Sequence, residues 1–64
     1  MNKKRFDCDV VVMSGAELDT DICVTGNVYM EKGSSANGYD IDVGESFKAY
    51  HAEFFNVSAG ENIV

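Results

Sequence analysis

Residues 5–24 read RFDCDVVVMSGAELDTDICV and indicate two β-strands joined by a turn. Apolar and polar side chains alternate along both halves, which is the period of a strand with one buried face. The predicted inward-facing set is Phe6, Cys8, Val10, Val12, Leu18, Thr20, Ile22 and Val24. Because the turn signal Ser14-Gly15-Ala16 separates the halves, the sequence predicts an antiparallel hairpin centred on Gly15.

The rest of the chain continues as short strands separated by polar turns. Residues 28–31 and 39–43 alternate in the same way, and the loop between them ends in Asn37-Gly38, a turn pair. Residues 45–55 are ambiguous, because their aromatic residues fit one face of a helix capped by Ser46, yet aromatic content favours a strand. We expect a strand there, with one short helix as the alternative. The uneven spacing of the Asp-x-Asp pairs predicts no internal repeat.

These strands predict a mainly β fold, a small antiparallel meander or half-open sandwich of four to five strands, with residues 1–64 as a single domain. With 45% hydrophobic and 25% charged residues, the chain has the composition of a globular protein. A chain of 64 residues leaves little material for an enclosed enzyme pocket. In the predicted register Cys8 and Cys23 face opposite sides of the sheet, so no disulfide is expected between them.

The charge of the chain is strongly negative, with a net value of −6 from eleven acidic and five basic residues. Three of the basic residues, Lys3, Lys4 and Arg5, lie together near the start, where a solvated, frayed terminus is expected. No apolar run approaches the roughly 20 residues that span a membrane, and no signal peptide precedes the first strand. These features predict a protein of the cytoplasm, or of the host cytoplasm if its origin is a phage.

Three Asp-x-Asp pairs share the predicted outward face of the sheet. Asp is a poor strand former and like charges repel across strands, so a selected anionic surface is a hypothesis beside plain solubility. The candidate partner-binding residues are Asp7, Asp9, Glu17, Asp19, Asp21, Asp40 and Asp42. Their carboxylates would replace phosphates in the groove of a basic, nucleic-acid-binding protein, without direct contact to nucleic acid. In size and acidity alone, the chain resembles DNA-mimic inhibitors such as anti-restriction and anti-CRISPR proteins of phages.

The sequence favours an interaction protein over an enzyme. His51 has no nucleophile with a partner at a suitable spacing, and two cysteines with one histidine do not make a zinc site. No cofactor or metal is expected, with a calcium-binding module as a distant alternative. A second candidate surface is aromatic and consists of Phe47, Tyr50, Phe54 and Phe55. A homodimer would bury it, so the runner-up hypothesis is a structural or oligomer-forming subunit, such as a particle component.

Overall fold

A computed structural model describes residues 3–64, and over this range every regular element is a β-strand. The strands are β1 Lys3–Phe6, β2 Val10–Val12, β3 Asp21–Val24, β4 Val28–Met30, β5 Ile41–Val43, β6 Phe47–Ala49 and β7 Val57–Ala59. All their pairings are parallel, with β1-β3-β5-β7 in one sheet and β2-β4-β6 in the other. The chain therefore winds into a small β-solenoid of about three turns.

The solenoid has three faces in cross-section. Face 1 is the sheet β1-β3-β5-β7, and face 2 is the sheet β2-β4-β6, which Ile63 extends by a bridge to Phe47. Face 3 is narrower and consists of the parallel bridges that join Glu17, Ser35 and Glu53. Corner 1 joins face 1 to face 2, corner 2 joins face 2 to face 3, and corner 3 returns the chain to face 1. Each circuit of the three faces is one rung.

The core lies inside the solenoid, where equivalent side chains of successive rungs stack in columns. On face 1, Ile22 pairs with Ile41 and Ile41 with Val57. On face 2, Val28 pairs with Phe47. Such columns suit β-branched and aromatic residues, which pack well on a pleated surface. The buried apolar residues are Val12, Ile22, Val24, Val28, Met30, Ala36, Ile41, Val43 and Phe47.

The prediction of an antiparallel meander or half-open sandwich is wrong, because the chain does not reverse at Gly15. Gly15 has a φ of +79° and lies in a corner after which Leu18 donates its backbone N–H to Ser35 of the next rung. The alternating pattern could not reveal this, since parallel and antiparallel strands share a period of two residues. The expectation of no internal repeat is wrong as well.

The structure also tests three smaller expectations, on the cysteines, on residues 45–55 and on the basic residues near the start. Cys8 is exposed at corner 1 instead of facing the core, Cys23 is half-buried, and both are free thiols. Residues 45–55 contain the strand β6 and no helix, so the strand prediction is confirmed over the helical alternative. Lys3, Lys4 and Arg5 do not fray, because they belong to β1.

Candidate interaction surfaces

The structure distributes the seven predicted acidic residues around the solenoid instead of placing them on one face. Asp7 and Asp9 lie at corner 1, and Glu17 lies on face 3. Asp19 and Asp40 lie at corner 3, whereas Asp21 and Asp42 belong to strands of face 1. The six aspartates of the Asp-x-Asp pairs therefore lie in three different environments, which are corner 1, corner 3 and face 1.

Three of these aspartates bridge neighbouring rungs at the corners or at the start of a strand. Asp9 Oδ1 accepts a hydrogen bond from the backbone N–H of Asn27 at 2.9 Å. Asp21 Oδ1 accepts from the backbone N–H of Asp40 at 2.9 Å, and Asp40 Oδ1 accepts from Asn56 Nδ2 at 3.0 Å. Short side chains with acceptor oxygens satisfy backbone N–H groups that leave the ladder at a turn. These carboxylates thus have a role in the fold that requires no partner.

Two further aspartates form ion pairs with the cations of β1. Lys3 Nζ pairs with Asp42, two rungs away, and Arg5 Nε pairs with Asp7 at 2.9 Å. The hydrogen bond from each cation to its aspartate raises the pKa of Lys3 and of Arg5. Because the folded-state pKa is raised, the Lys3 contribution is complete below its ordinary value of 10.5 and is lost only as the pH rises beyond it. Both pairs are exposed, so each stabilises the fold only weakly.

Asn27 lies at the centre of the corner 1 network. Its Oδ1 accepts from the backbone N–H of Ser46 at 3.0 Å, and its Nδ2 donates to Glu45 Oε1 at 3.1 Å and to Asp9 Oδ1 at 3.4 Å. One amide therefore connects three rungs and separates two carboxylates. Neither oxygen nor nitrogen of this amide can be replaced without a loss of hydrogen bonds.

We expect Asn27→Asp to lower the free energy of unfolding by about 1–2 kcal/mol, because it removes the donor and places a third carboxylate between Asp9 and Glu45. Urea denaturation followed by circular dichroism measures the change. Asn37→Asp is the matched control, since it adds the same charge at an exposed turn where the amide makes only a long contact of 3.4 Å to Leu18. Salt at 1 M should recover part of the Asn27→Asp loss. Equal effects of the two substitutions would contradict this account.

The four predicted aromatic residues do not form a single surface. Phe47 is fully buried, and the Phe54 ring contacts it edge to face with 5.0 Å between centroids. Tyr50 lies at corner 2, where its ring contacts His51 at 4.4 Å. Phe55 lies at corner 3 and is 77% exposed. Of the four, only Phe54 and Phe55 are both exposed and adjacent in the chain.

The C-terminal end of the solenoid carries a group of apolar side chains. We use the name C-terminal end for Phe54, Phe55, Val57, Ala59 and Ile63, which close the third rung and form the partial rung after it. Ile63 is 54% exposed although it continues the inward column of Phe47. The strand β7 pairs with β5 on one side only, so its other edge presents unpaired backbone groups. The sequence contains a pattern that predicts this last corner, because residues 59–63 (AGENI) resemble residues 43–47 (VGESF), which form the previous corner 1.

The opposite, N-terminal end carries positive charge. Lys4 occupies an inward column of β1 next to Ile22, and its Nζ lies 5.7 Å from the centroid of the Phe6 ring. Phe6 is half-buried beneath it. A cation over an aromatic face is a favourable contact, and the charged group stays in contact with water at the end of the column. The two ends of the solenoid therefore differ, since one is capped by a lysine and the other exposes apolar side chains.

Two shallow grooves flank Phe55. The larger, of about 370 Å³, is lined by Ser35, Asn37, Gly38, Glu53, Phe54 and Phe55. The smaller, of about 280 Å³, is lined by Asp40, Asp42, Phe55, Asn56, Val57 and Ser58. Among residues 3–64, no three His, Cys, Asp or Glu side chains are grouped so as to hold a metal ion. Over the same range the structure has no helix of the length and apolarity that would cross a membrane.

No protein-family model, curated protein or solved structure matches this chain.

Proposed function

We propose that this chain is a non-enzymatic structural subunit that associates with copies of itself through the ends of its solenoid. The observation that carries the proposal is the C-terminal end, where Phe55 and Ile63 are exposed beside the free edge of β7. This is the oligomer-forming alternative that the sequence suggested.

The physical argument is that a solenoid rung contacts only the rungs next to it. Every internal rung buries its apolar columns against two neighbours, whereas the last rung buries them against one. Solenoids that remain monomeric cover such an end with polar residues. Here Val57 and Ala59 stay half-buried at a strand edge, so another rung placed on them would gain both apolar contacts and backbone hydrogen bonds.

A second candidate function is the acidic inhibitor or adaptor that docks a basic, nucleic-acid-binding protein in the cytoplasm. The net charge of −6 supports it. The hydrogen bonds of Asp9, Asp21 and Asp40 within the chain favour it less, because they give these carboxylates a structural purpose. Binding of that kind would weaken steeply with added salt, whereas association through an apolar end would not.

The test is the oligomeric state of the chain by light scattering after gel filtration, over a range of protein concentrations. We expect wild type to associate, and Phe55→Glu to weaken association at least tenfold, as expected for loss of an aromatic anchor. Tyr29→Glu is the matched control, since Tyr29 lies on the outer side of β4, a strand already paired with β2 and β6 on its two edges. A wild-type chain that stays monomeric at every concentration would contradict the proposal. Equal weakening by both variants would do so too.

A further inference from the structure

We infer that the C-terminal end pairs with the same end of a second copy, across a two-fold axis that passes beside Ser58. The inference rests on the proposed function and adds to it the partner surface and its register. It follows from three observations, which are the charge of the N-terminal end, the pattern of β7 and the unequal heights of faces 2 and 3.

Lys4 argues against the alternative of stacking head to tail. In a continuous stack, β1 of one copy would pair with β7 of the next copy. Lys4 of the first copy would then lie against Val57 of the second, at the end of the column of Ile22, Ile41 and Val57. The ammonium would then be enclosed among apolar side chains, where an unpaired charge is costly. Pairing of two N-terminal ends would bring the cations of two β1 strands together. Pairing of two C-terminal ends buries no lysine, and the acidic residues of that end, Glu53 and Glu61, are exposed.

The strand β7 has the pattern that a two-fold axis requires. Its three residues are Val57, Ser58 and Ala59, of which Val57 and Ala59 continue inward columns and Ser58 lies outward beside Asp42. An antiparallel pair centred on Ser58 sets Val57 of each copy opposite Ala59 of the other. Both apolar columns then continue across the junction, and the residues nearest the axis on the outer side are neutral serines, which do not repel.

The other two faces are complementary under the same rotation. A two-fold axis through face 1 exchanges face 2 of one copy with face 3 of the other. Within the described residues, face 2 ends at Ile63, which follows Phe47 in the next rung. Face 3 ends one rung earlier, at Phe54. The taller face of each copy therefore meets the shorter face of the other. Ile63 of one copy packs on Phe54 and Phe55 of the second, which covers the exposed apolar surface of both.

The experiment places a single cysteine beside the proposed axis. In a background of Cys8→Ser and Cys23→Ser, Ser58→Cys would bring two thiols to the separation of adjacent strands, about 5 Å, where a disulfide forms readily. Asp42→Cys is the matched control, because it lies one rung further from the junction in the same outward column. Its two copies would be about 14 Å apart, three strand spacings, which is too far for a disulfide.

We expect mild oxidation to convert Ser58→Cys to a covalent dimer at least tenfold faster than Asp42→Cys, and Phe55→Glu to abolish the difference. A double variant, Arg5→Cys with Ser58→Cys, tests stacking head to tail, which would produce a ladder of multimers beyond the dimer. Such a ladder, or equal rates for Ser58→Cys and Asp42→Cys in a chain that still associates, would overturn the two-fold pairing and leave the proposed function standing. A wild-type chain that does not associate would overturn both.

Discussion

Replacing Phe47 with alanine is expected to unfold much of the protein at 25 °C. Phe47 is the largest of the fully buried side chains. It lies between Val28 and Ile63 in the inward column of face 2 and contacts the Phe54 ring. Truncation of a buried phenylalanine costs about 3–5 kcal/mol. A 64-residue domain has about 3–10 kcal/mol of stability in total, so the loss is comparable with the whole.

Urea denaturation monitored by circular dichroism measures this loss, with Phe55→Ala as the matched control. Phe55 is the same residue type in the same turn but is 77% exposed, so its truncation should change the stability of the monomer by less than about 0.5 kcal/mol. Both variants are compared at several protein concentrations, because association would add a concentration-dependent contribution. A Phe47→Ala variant as stable as Phe55→Ala would show that the column does not hold the core together.

The strands themselves could be predicted from the sequence, because alternation identifies inward residues whatever the partner strand. Ile22, Val24, Ile41 and Val43 were assigned to strands by this pattern, and all four are buried. How the strands pair could not be derived in the same way. A short polar turn after Val12 satisfies the rule for a hairpin, and nothing local distinguishes it from a solenoid corner.

The information about pairing was present in a repeat that the acidic pairs obscured. Residues 6–10, 24–28, 43–47 and 59–63 read FDCDV, VTGNV, VGESF and AGENI. Each begins and ends with an apolar residue, and the fourth position is Asp, Asn, Ser or Asn. The spacing is uneven because the rungs differ in length. Ile22 pairs with Ile41, and Ile41 pairs with Val57, which is fewer residues further along the chain. A search for a fixed period therefore fails on a chain that repeats only its corners.

The unusual choice of aspartate has a physical explanation in the corners. Aspartate is a poor residue for a strand but a good one for a turn, where its short carboxylate accepts hydrogen bonds from backbone N–H groups. Asp9 and Asp21 do so between rungs, and Asp40 accepts there from the side-chain amide of Asn56. The sequence correctly marked these residues as special, and the reason lies in the fold of the chain. Whether the remaining charge also attracts a basic partner stays a prediction.

Neighbouring rungs lie very close together at corner 1, so a side chain at Gly44 is expected to destabilise the fold strongly. A Cβ atom at Gly44 would lie 2.4 Å from the backbone oxygen of Thr25, well inside van der Waals contact. The backbone cannot separate easily, because Gly44 donates its N–H to the carbonyl oxygen of Val24 at 2.7 Å. A side chain at this position therefore forces apart two rungs that hydrogen bonds hold together.

We expect Gly44→Ala to lower the free energy of unfolding by about 1–3 kcal/mol, the cost of an overpacked site. The sign itself is informative, since Gly→Ala without a clash usually stabilises a protein by about 0.4–1 kcal/mol through the unfolded chain. Gly26→Ala is the matched control at the same corner. Its added Cβ would lie 2.3 Å from Asp9 Oδ1, a side-chain atom that can move at the cost of its hydrogen bonds from Asn27, whereas backbone atoms are no closer than 3.2 Å. Urea denaturation should therefore rank Gly44→Ala as the more damaging change, and the reverse order would mean that the rungs at corner 1 are not as close as the structure places them.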